Sequence, residues 1–491
     1  MNRLSARSDR SVSPYPKVPT NSVENVYTPI SSLTRHWDAR SPGAQLILSP
    51  GWIIPGGAAY ARTNLLSASG WFRVSGKTNV SLKFTDLYSR RNVLGTLATP
   101  RIGSLAVRCQ EVGETPSWIY GVRPHWSPTG TVGFHNLNPN KTYDIEFETN
   151  TPTDAVGCTS YWMISHQPGD TGVPALAEIG QLWQLEGIYS SSGGAFETIV
   201  DSRTPLIVVW LSDSNSGGWM GPDVADDTNW IDIYAAVGIF ITGSFLSDLN
   251  YWDTGGARLQ WHRIILEDWC SRNNRRLVLL NRSQGGSWQG AMHTDLRNYW
   301  TNATRRPELF ENLRDVIGYR TDHSNSDFTI GSDWTGGLDT EVNLVGIGSI
   351  ANDIIQAGNG ILTGLESGFL TGMQDRFASS SASSTIKNSR AKFTNAKHLI
   401  FQSQFVGSIA DDVRTYVRAG IGLPSYTAGY YGSQVSQPDY SWLGYIDLAD
   451  YAVAAGWNQT ITNFARIHPT RAEHAAMAPL IQTAFDSFMA R

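Results

Sequence analysis

Apolar residues along this chain follow two different rhythms, and the change between them falls near residue 204. In "NVSLKFTD", Val80, Leu82 and Phe84 alternate with Ser81, Lys83 and Thr85. In "KTYDIEFETN", Tyr143, Ile145 and Phe147 alternate with Asp144, Glu146 and Glu148. A period of two predicts strands with one face in a core, and Gly, Pro and Asn separate these runs. Residues 31–165 are therefore expected to form an all-β domain, a sandwich or jelly roll. Leu137, Pro139 and Tyr143 are spaced as in a tyrosine corner, where the phenol ties a crossover loop down. Residues 166–203, with "HQPGDTG", a short helical stretch "PALAEIGQLWQLEG" and "YSSSGGAF", read as a linker.

Beyond Pro205 the apolar runs become continuous: "PLIVVW", "RRLVLLN", "EVNLVGIG", "KHLIFQSQF" and "GYIDLADYA". Longer helical stretches lie between or after them: "ARLQWHRIILEDWCSRNN", "NDIIQAGNGILTGLESGFLTGMQDRF" and the closing "TRAEHAAMAPLIQTAFDSFMAR". Short unbroken apolar strands spaced by helices predict a parallel sheet covered on both faces, hence a three-layer α/β domain over 204–491. "SSSASSTIKNS" from Ser379 is low in complexity and reads as a loop. Residues 1–30, rich in Ser, Pro and Arg, read as a flexible or partner-bound arm.

Composition narrows the function. The 491 residues are 41% hydrophobic and 16% charged with a net charge of −5, so a large core is available and no basic field exists to hold nucleic acid. Membrane insertion is not expected: the most apolar stretch, "AAVGIFITGSFL" from Ala235, is too short to span a bilayer and reads as a buried strand or helix. The N-terminus lacks the apolar stretch of a signal peptide. Three cysteines suit neither a disulfide framework nor a zinc site. Cys109 and Cys158 are a candidate pair; otherwise all three read as small buried apolar residues. Neither a metal nor any other cofactor is expected. Eighteen tryptophans and nineteen tyrosines supply flat faces for a core or for sugar rings.

In a parallel sheet, sites form where loops leave the carboxyl ends of the strands. "LSDSNSGGWMG" leaves the run "PLIVVW" at such an end and offers Ser212, Ser214 and Ser216 as hydroxyls. A nucleophilic serine needs a base. His468, in "ARIHPTRAEH", stands just ahead of the terminal helix, whose start Pro469 and Thr470 can fix.

Together these segments resemble the SGNH, or GDSL-type, serine hydrolase superfamily. "VVWLSDSNS" is similar to its first block, with Ser212 in place of a glycine, and implies Ser214 as nucleophile. "LVLLNRSQGGS" is similar to the second block and implies Gly286. "VGIGSIANDI" resembles the third and implies Asn352, with the glycine two residues further back at Gly348. "ARIHPT" resembles the last and implies His468 as base. The implied fold of 204–491 is flavodoxin-like. The implied chemistry is ester hydrolysis, with the N–H groups of Ser214 and Gly286 and the amide of Asn352 forming the oxyanion hole. The preceding β domain resembles the layout of family-2 carbohydrate esterases.

One position departs from the family. Its aspartate stands three residues before the histidine, where this chain has Ala465. Either a Ser-His dyad operates, or Asp447, Asp450 or Glu473 orients the imidazole. An insertion at about 287–341 carries Trp288, Trp300 and Trp334, which with Trp219 are candidate substrate contacts. The expected activity is removal of O-acetyl groups from a polysaccharide or another glycan ester. The rival is a non-catalytic glycan-binding or structural virion protein on a degenerate esterase scaffold. An arm, a β domain and an esterase without a signal peptide also suit a bacteriophage tail protein acting at the cell surface. In that setting a homo-oligomer, such as a trimer, or virion proteins bound through the arm would be the partners.

Overall fold

A computed structural model describes, with short breaks, residues 30–151, 183–217, 240–245, 256–283, 337–348, 369–378, 384–424, 441–455, 459–460 and 468–491. Its first part consists of two antiparallel sheets. One orders the strands Thr34–Trp37, Trp183–Ser190, Asn79–Phe84, Thr131–His135 and Phe240–Thr242, with Ala61–Thr63 beside Trp183–Ser190. The other orders Ala195–Glu197, Ser69–Ser75, Thr142–Thr151, Ser104–Glu111, Ile119–Arg123 and Ser244–Phe245, with Ile47–Leu48 beside Ser69–Ser75. Alternation does the work expected of it: Val80, Leu82 and Phe84 from one sheet and Tyr143, Ile145 and Phe147 from the other lie in one core. The Tyr143 hydroxyl accepts the N–H of Asn138 at 3.1 Å, the predicted tie across the corner.

Three readings of the sequence change here, and one with two alternatives is resolved. The segment expected as a helix within a linker contributes the strand Trp183–Ser190, and the turn after it leads to Ala195–Glu197 in the opposite sheet. Gly193 and Gly194 both have positive φ, and a Cβ on Gly194 would lie 2.1 Å from the Ser75 carbonyl oxygen, so glycine is required there. The apolar stretch near Ala235, read as a strand or a helix, supplies the strands Phe240–Thr242 and Ser244–Phe245, which return from beyond the strand Pro205–Leu211 to these same sheets. The serine-rich stretch ends in a helix, because the Ser384 hydroxyl accepts the Lys387 N–H at 3.1 Å and caps it. Cys109 is a free buried thiol, as is Cys270.

The second part is a five-stranded parallel sheet. Its strands are β1 (Pro205–Leu211), β2 (Arg276–Asn281), β3 (Leu344–Ile347), β4 (Lys397–Gln402) and β5 (Leu443–Asp447), in the order 2-1-3-4-5. Each continuous apolar run became one strand because both of its faces are covered. Ile207, Val209 and Leu211 face α2 (Phe369–Phe377), α3 (Thr385–Lys392) and α4 (Ser408–Gly420) through Met373, Ile386 and Val413. Leu206, Val208 and Trp210 face α1 (Trp261–Arg272), α5 (Leu448–Ala454) and α6 (Arg471–Ala490) through Ile265, Tyr451 and Ile481. No helix among the described residues is long and apolar enough to cross a membrane.

The Trp210 indole is stacked on Phe401 at 4.9 Å and on His262 at 4.8 Å. On β3 a glycine leaves room for it: a Cβ on Gly346 would sit 2.2 Å from a Trp210 ring carbon. Gly346→Ala is therefore expected to cost about 1–3 kcal/mol by overpacking, read as a lower urea midpoint at unchanged m value.

Candidate active site

The strand order reverses between β1 and its neighbours β2 and β3, so their carboxyl ends form the topological switch point where a site is expected. The loop after β1 starts at that point, and its residues Ser212, Asp213, Asn215 and Ser216 are all buried. Asp213 Oδ1 accepts the Asn215 N–H at 2.8 Å and its side-chain amide at 3.2 Å. The Ser216 N–H returns to the Asp213 carbonyl at 3.1 Å, closing a turn that brackets position 214. Burial raises the Asp213 carboxyl to about 6, against the hydrogen bonds from Asn215 that favour its charged form.

Three neighbouring strand ends hold this loop. From the end of β2, the Asn281 amide donates to the Ser216 carbonyl at 2.9 Å. Just past β3, the Gly348 N–H donates to the Leu211 carbonyl at 2.8 Å, and a Cβ on Gly348 would lie 2.7 Å from Ser212 Oγ and 2.2 Å from the Phe401 ring. Beyond β4, the Gln404 amide donates to Asn215 Oδ1 at 3.2 Å. Asn281 and Gln404 were not singled out in the sequence. Their signal is a polar residue where an apolar strand runs out.

His468 is buried at the entrance to α6. Thr470 caps that helix through a reciprocal capping box: its hydroxyl accepts the Glu473 N–H at 3.2 Å, and Glu473 Oε2 accepts the Thr470 N–H at 2.7 Å. Burial, reinforced by nearby His474, lowers His468 to about 3, so its imidazole is neutral over the physiological range. Burial also lowers His474 to about 3, and its Nδ1 accepts the Trp261 N–H at the start of α1, at 3.3 Å. Ser214, Gly286, Asn352, Trp219, Trp288, Trp300 and Trp334, as well as Cys158, lie outside the described residues. Among the described residues, no group of three or more His, Cys, Asp or Glu side chains is placed to hold a metal.

Solved structures with a similar arrangement include carbohydrate esterases and a salicylyl-acyltransferase. A family two carbohydrate esterase from Cellvibrio japonicus matches over 93% of this chain and 99% of its own, with a TM-score of 0.52 at 11% identity. A second, from Clostridium thermocellum in complex with cellohexaose, matches over 90% and 98% with a TM-score of 0.47 at 10% identity. An acetyl xylan esterase from the rumen bacterium Butyrivibrio proteoclasticus matches over 93% and 98% with a TM-score of 0.46 at 11% identity. The chain has the fold of a family two carbohydrate esterase. No family model and no curated protein matches its sequence.

Within that fold, two of the three carboxylates nominated to orient His468 carry structural duties. Asp447 caps α5 by accepting the Ala449 N–H, and it lies 3.0 Å from Nε of Arg414, a guanidinium with no exposure. Arg414 also reaches Asp411 and the Phe405 carbonyl. Glu473 closes the capping box described above. Asp450 is buried in the first turn of α5, a helix that packs against α6.

Neutral buried histidines make stability depend on pH. The unfolded chain protonates them near 6.5 while the folded chain resists to about 3, so stability falls as pH drops through that window. Asp213 opposes this between about 6 and 3.8, where the folded state holds the extra proton. His474→Gln, which keeps an acceptor for the Trp261 N–H, is expected to reduce the slope between pH 6 and 4.5 by about 1.4 kcal/mol per unit, measured by urea unfolding.

Proposed function

We propose that the protein is a serine esterase that removes acyl groups, foremost acetyl, from a polysaccharide. The observation that carries this reading is the match in fold over nearly the whole chain to a family two carbohydrate esterase; Ser214 and His468 are the residues proposed for the chemistry. Asp213 and Asn215, the sequence neighbours of Ser214, lie in the loop that leaves β1 at the carboxyl end of the sheet, and His468 stands at the start of α6. The two antiparallel sheets that share one core are read as a β-sandwich of the jelly-roll kind set before the hydrolase domain.

In this mechanism Ser214 Oγ attacks the ester carbonyl carbon as its proton passes to His468 Nε2. The carbonyl oxygen becomes an oxyanion held by the N–H groups of Ser214 and Gly286 and the Asn352 amide, each such donor being worth roughly 3 kcal/mol of barrier. The intermediate collapses, the sugar oxygen leaves with the proton from His468, and an acetyl-Ser214 ester remains. Water then attacks that ester with His468 again taking a proton, and acetate and free Ser214 result. A base already neutral through burial spends no part of the working pH range protonated. The turn fixed by Asp213, Asn281 and Gln404 supplies a preorganised support for the nucleophile.

Ser214→Ala is expected to lower hydrolysis of p-nitrophenyl acetate and release of acetate from acetylated xylan by roughly 10⁴-fold or more. A variant that hydrolyses both at the rate of the unmodified protein would sink the assignment, and absence of activity on any ester would favour a purely binding role. The acid limb of kcat/KM is expected to lie well below pH 6.5, because burial holds His468 near 3. Initial rates that stay flat on the acid side between pH 4 and 7 would bear this out, and a limb near pH 6.5 would overturn it.

A further inference from the structure

Away from the candidate active site, a cavity of about 440 Å³ lies where the outer face of the antiparallel sheet meets edge strand β2 and helix α1. Asp144 and Glu146 from that sheet, with Asp201 and Glu267, are its acidic lining, and every one of them is engaged. Asp144 binds Arg73 at 2.7 Å, Glu146 binds Arg108 at 2.5 Å, Asp201 binds Arg203 at 2.7 Å, and Glu267 binds both Arg258 and Arg263.

Two further guanidiniums line the same space, those of Arg275 and Arg276; neither forms a salt bridge with a carboxylate among the described residues, while Arg276 is near enough to Asp201, already bound by Arg203, to help hold that carboxyl below its usual range. Arg275 donates to the carbonyls of Thr204 and Pro205. Arg276 Nε is buried with no acceptor among the described residues, and its guanidinium carbon lies 6.0 Å from the centre of the Trp71 ring. A buried donor left unmade carries a desolvation cost that an incoming oxyanion would recover. Exposed Val200 stands at the cavity wall.

We infer that this cavity is a second binding site, separate from the candidate active site, for a carboxylate-bearing sugar of a glycan chain. The planar guanidinium of Arg276 matches a carboxylate, which an ammonium would meet only as a point charge. The half-buried Trp71 offers a flat apolar face for a pyranose ring beside it. Arg276 opens β2 and Asn281, which holds the Ser214 loop, closes it. Five strand steps at about 3.3 Å separate them by about 17 Å, so the site would grip the polymer away from the bond being cut. That the ligand is a glycan rests on the esterase reading; that it carries an oxyanion rests on the arginines alone.

The test is isothermal titration calorimetry of the full chain with trigalacturonate, neutral xylotriose and inorganic phosphate. Trigalacturonate is expected to bind with an affinity that falls as salt rises, about tenfold or more weaker in Arg276→Gln and weaker in Trp71→Ala, while xylotriose does not compete. Arg276→Gln is expected to keep the rate on p-nitrophenyl acetate, which also reports that the variant is folded. The inference is overturned by no binding of trigalacturonate, by equal binding of xylotriose, by indifference to Arg276→Gln, or by binding of phosphate alone. If trigalacturonate binds as described but no ester is hydrolysed, the esterase reading falls and this site stands.

Discussion

A carboxylate with no exposure sets the relation between the two halves of this molecule. Glu148, on the outward face of the strand Thr142–Thr151, is met by Arg258 at 2.7 Å and Arg263 at 2.9 Å, both from the segment that opens α1. Burying an ion costs several kcal/mol unless its partners are in place, so neither half can withdraw or slide without exposing that cost. The pairing continues outward through Glu267, which binds the same two arginines, and Arg258 lies 3.7 Å from the centre of the Trp118 ring. Because α1 follows this anchor directly and β2 follows α1, the edge of the parallel sheet is set against the antiparallel sheet.

The same seam reaches the loop that carries the proposed nucleophile. The Leu66 N–H donates to the Asn281 carbonyl at 3.1 Å, and the Asn281 side chain holds the Ser216 carbonyl. Leu65, one residue earlier, lies in the core of the parallel sheet. The antiparallel sheets are thus tied to the back of the candidate site through one backbone bond and one amide.

How much of this was legible depended on whether a feature is local. All five parallel strands were visible as apolar runs, because burial on both faces leaves no polar alternation to confuse them. The start of α6 was visible for the same kind of reason: Pro469 and Thr470, adjacent in the chain, mark it. What failed was what distant partners decide. The alternating Asp144, Glu146 and Glu148 look like a solvent face, yet arginines far along the chain or on the next strand cover them. Trp183–Ser190 has too little alternation to announce a strand, and it is one because Asn79–Phe84 and Thr34–Trp37 flank it. Asp447 and Glu473 were reasonable partners for a histidine by proximity in sequence. Only the fold shows that Arg414 and a helix terminus already engage them.

The histidines link these points to chemistry. His262 stacks on Trp210, His474 accepts from the first turn of α1, and His468 stands at the head of α6, all on the face of the sheet that α1, α5 and α6 cover. Desolvation is the largest cause that keeps each of them neutral, and the nearby His474 adds to it for His262 and His468. In a triad an aspartate stabilises the imidazolium that forms during attack. Where Ala465 replaces it, burial still delivers the neutral, proton-accepting form in the ground state but does nothing for the charge that develops later. Such a site relies more heavily on its oxyanion donors, and on a nucleophile loop rigid enough to keep them aimed. That is the demand the contacts from Asn281, Gly348 and Gln404 would meet.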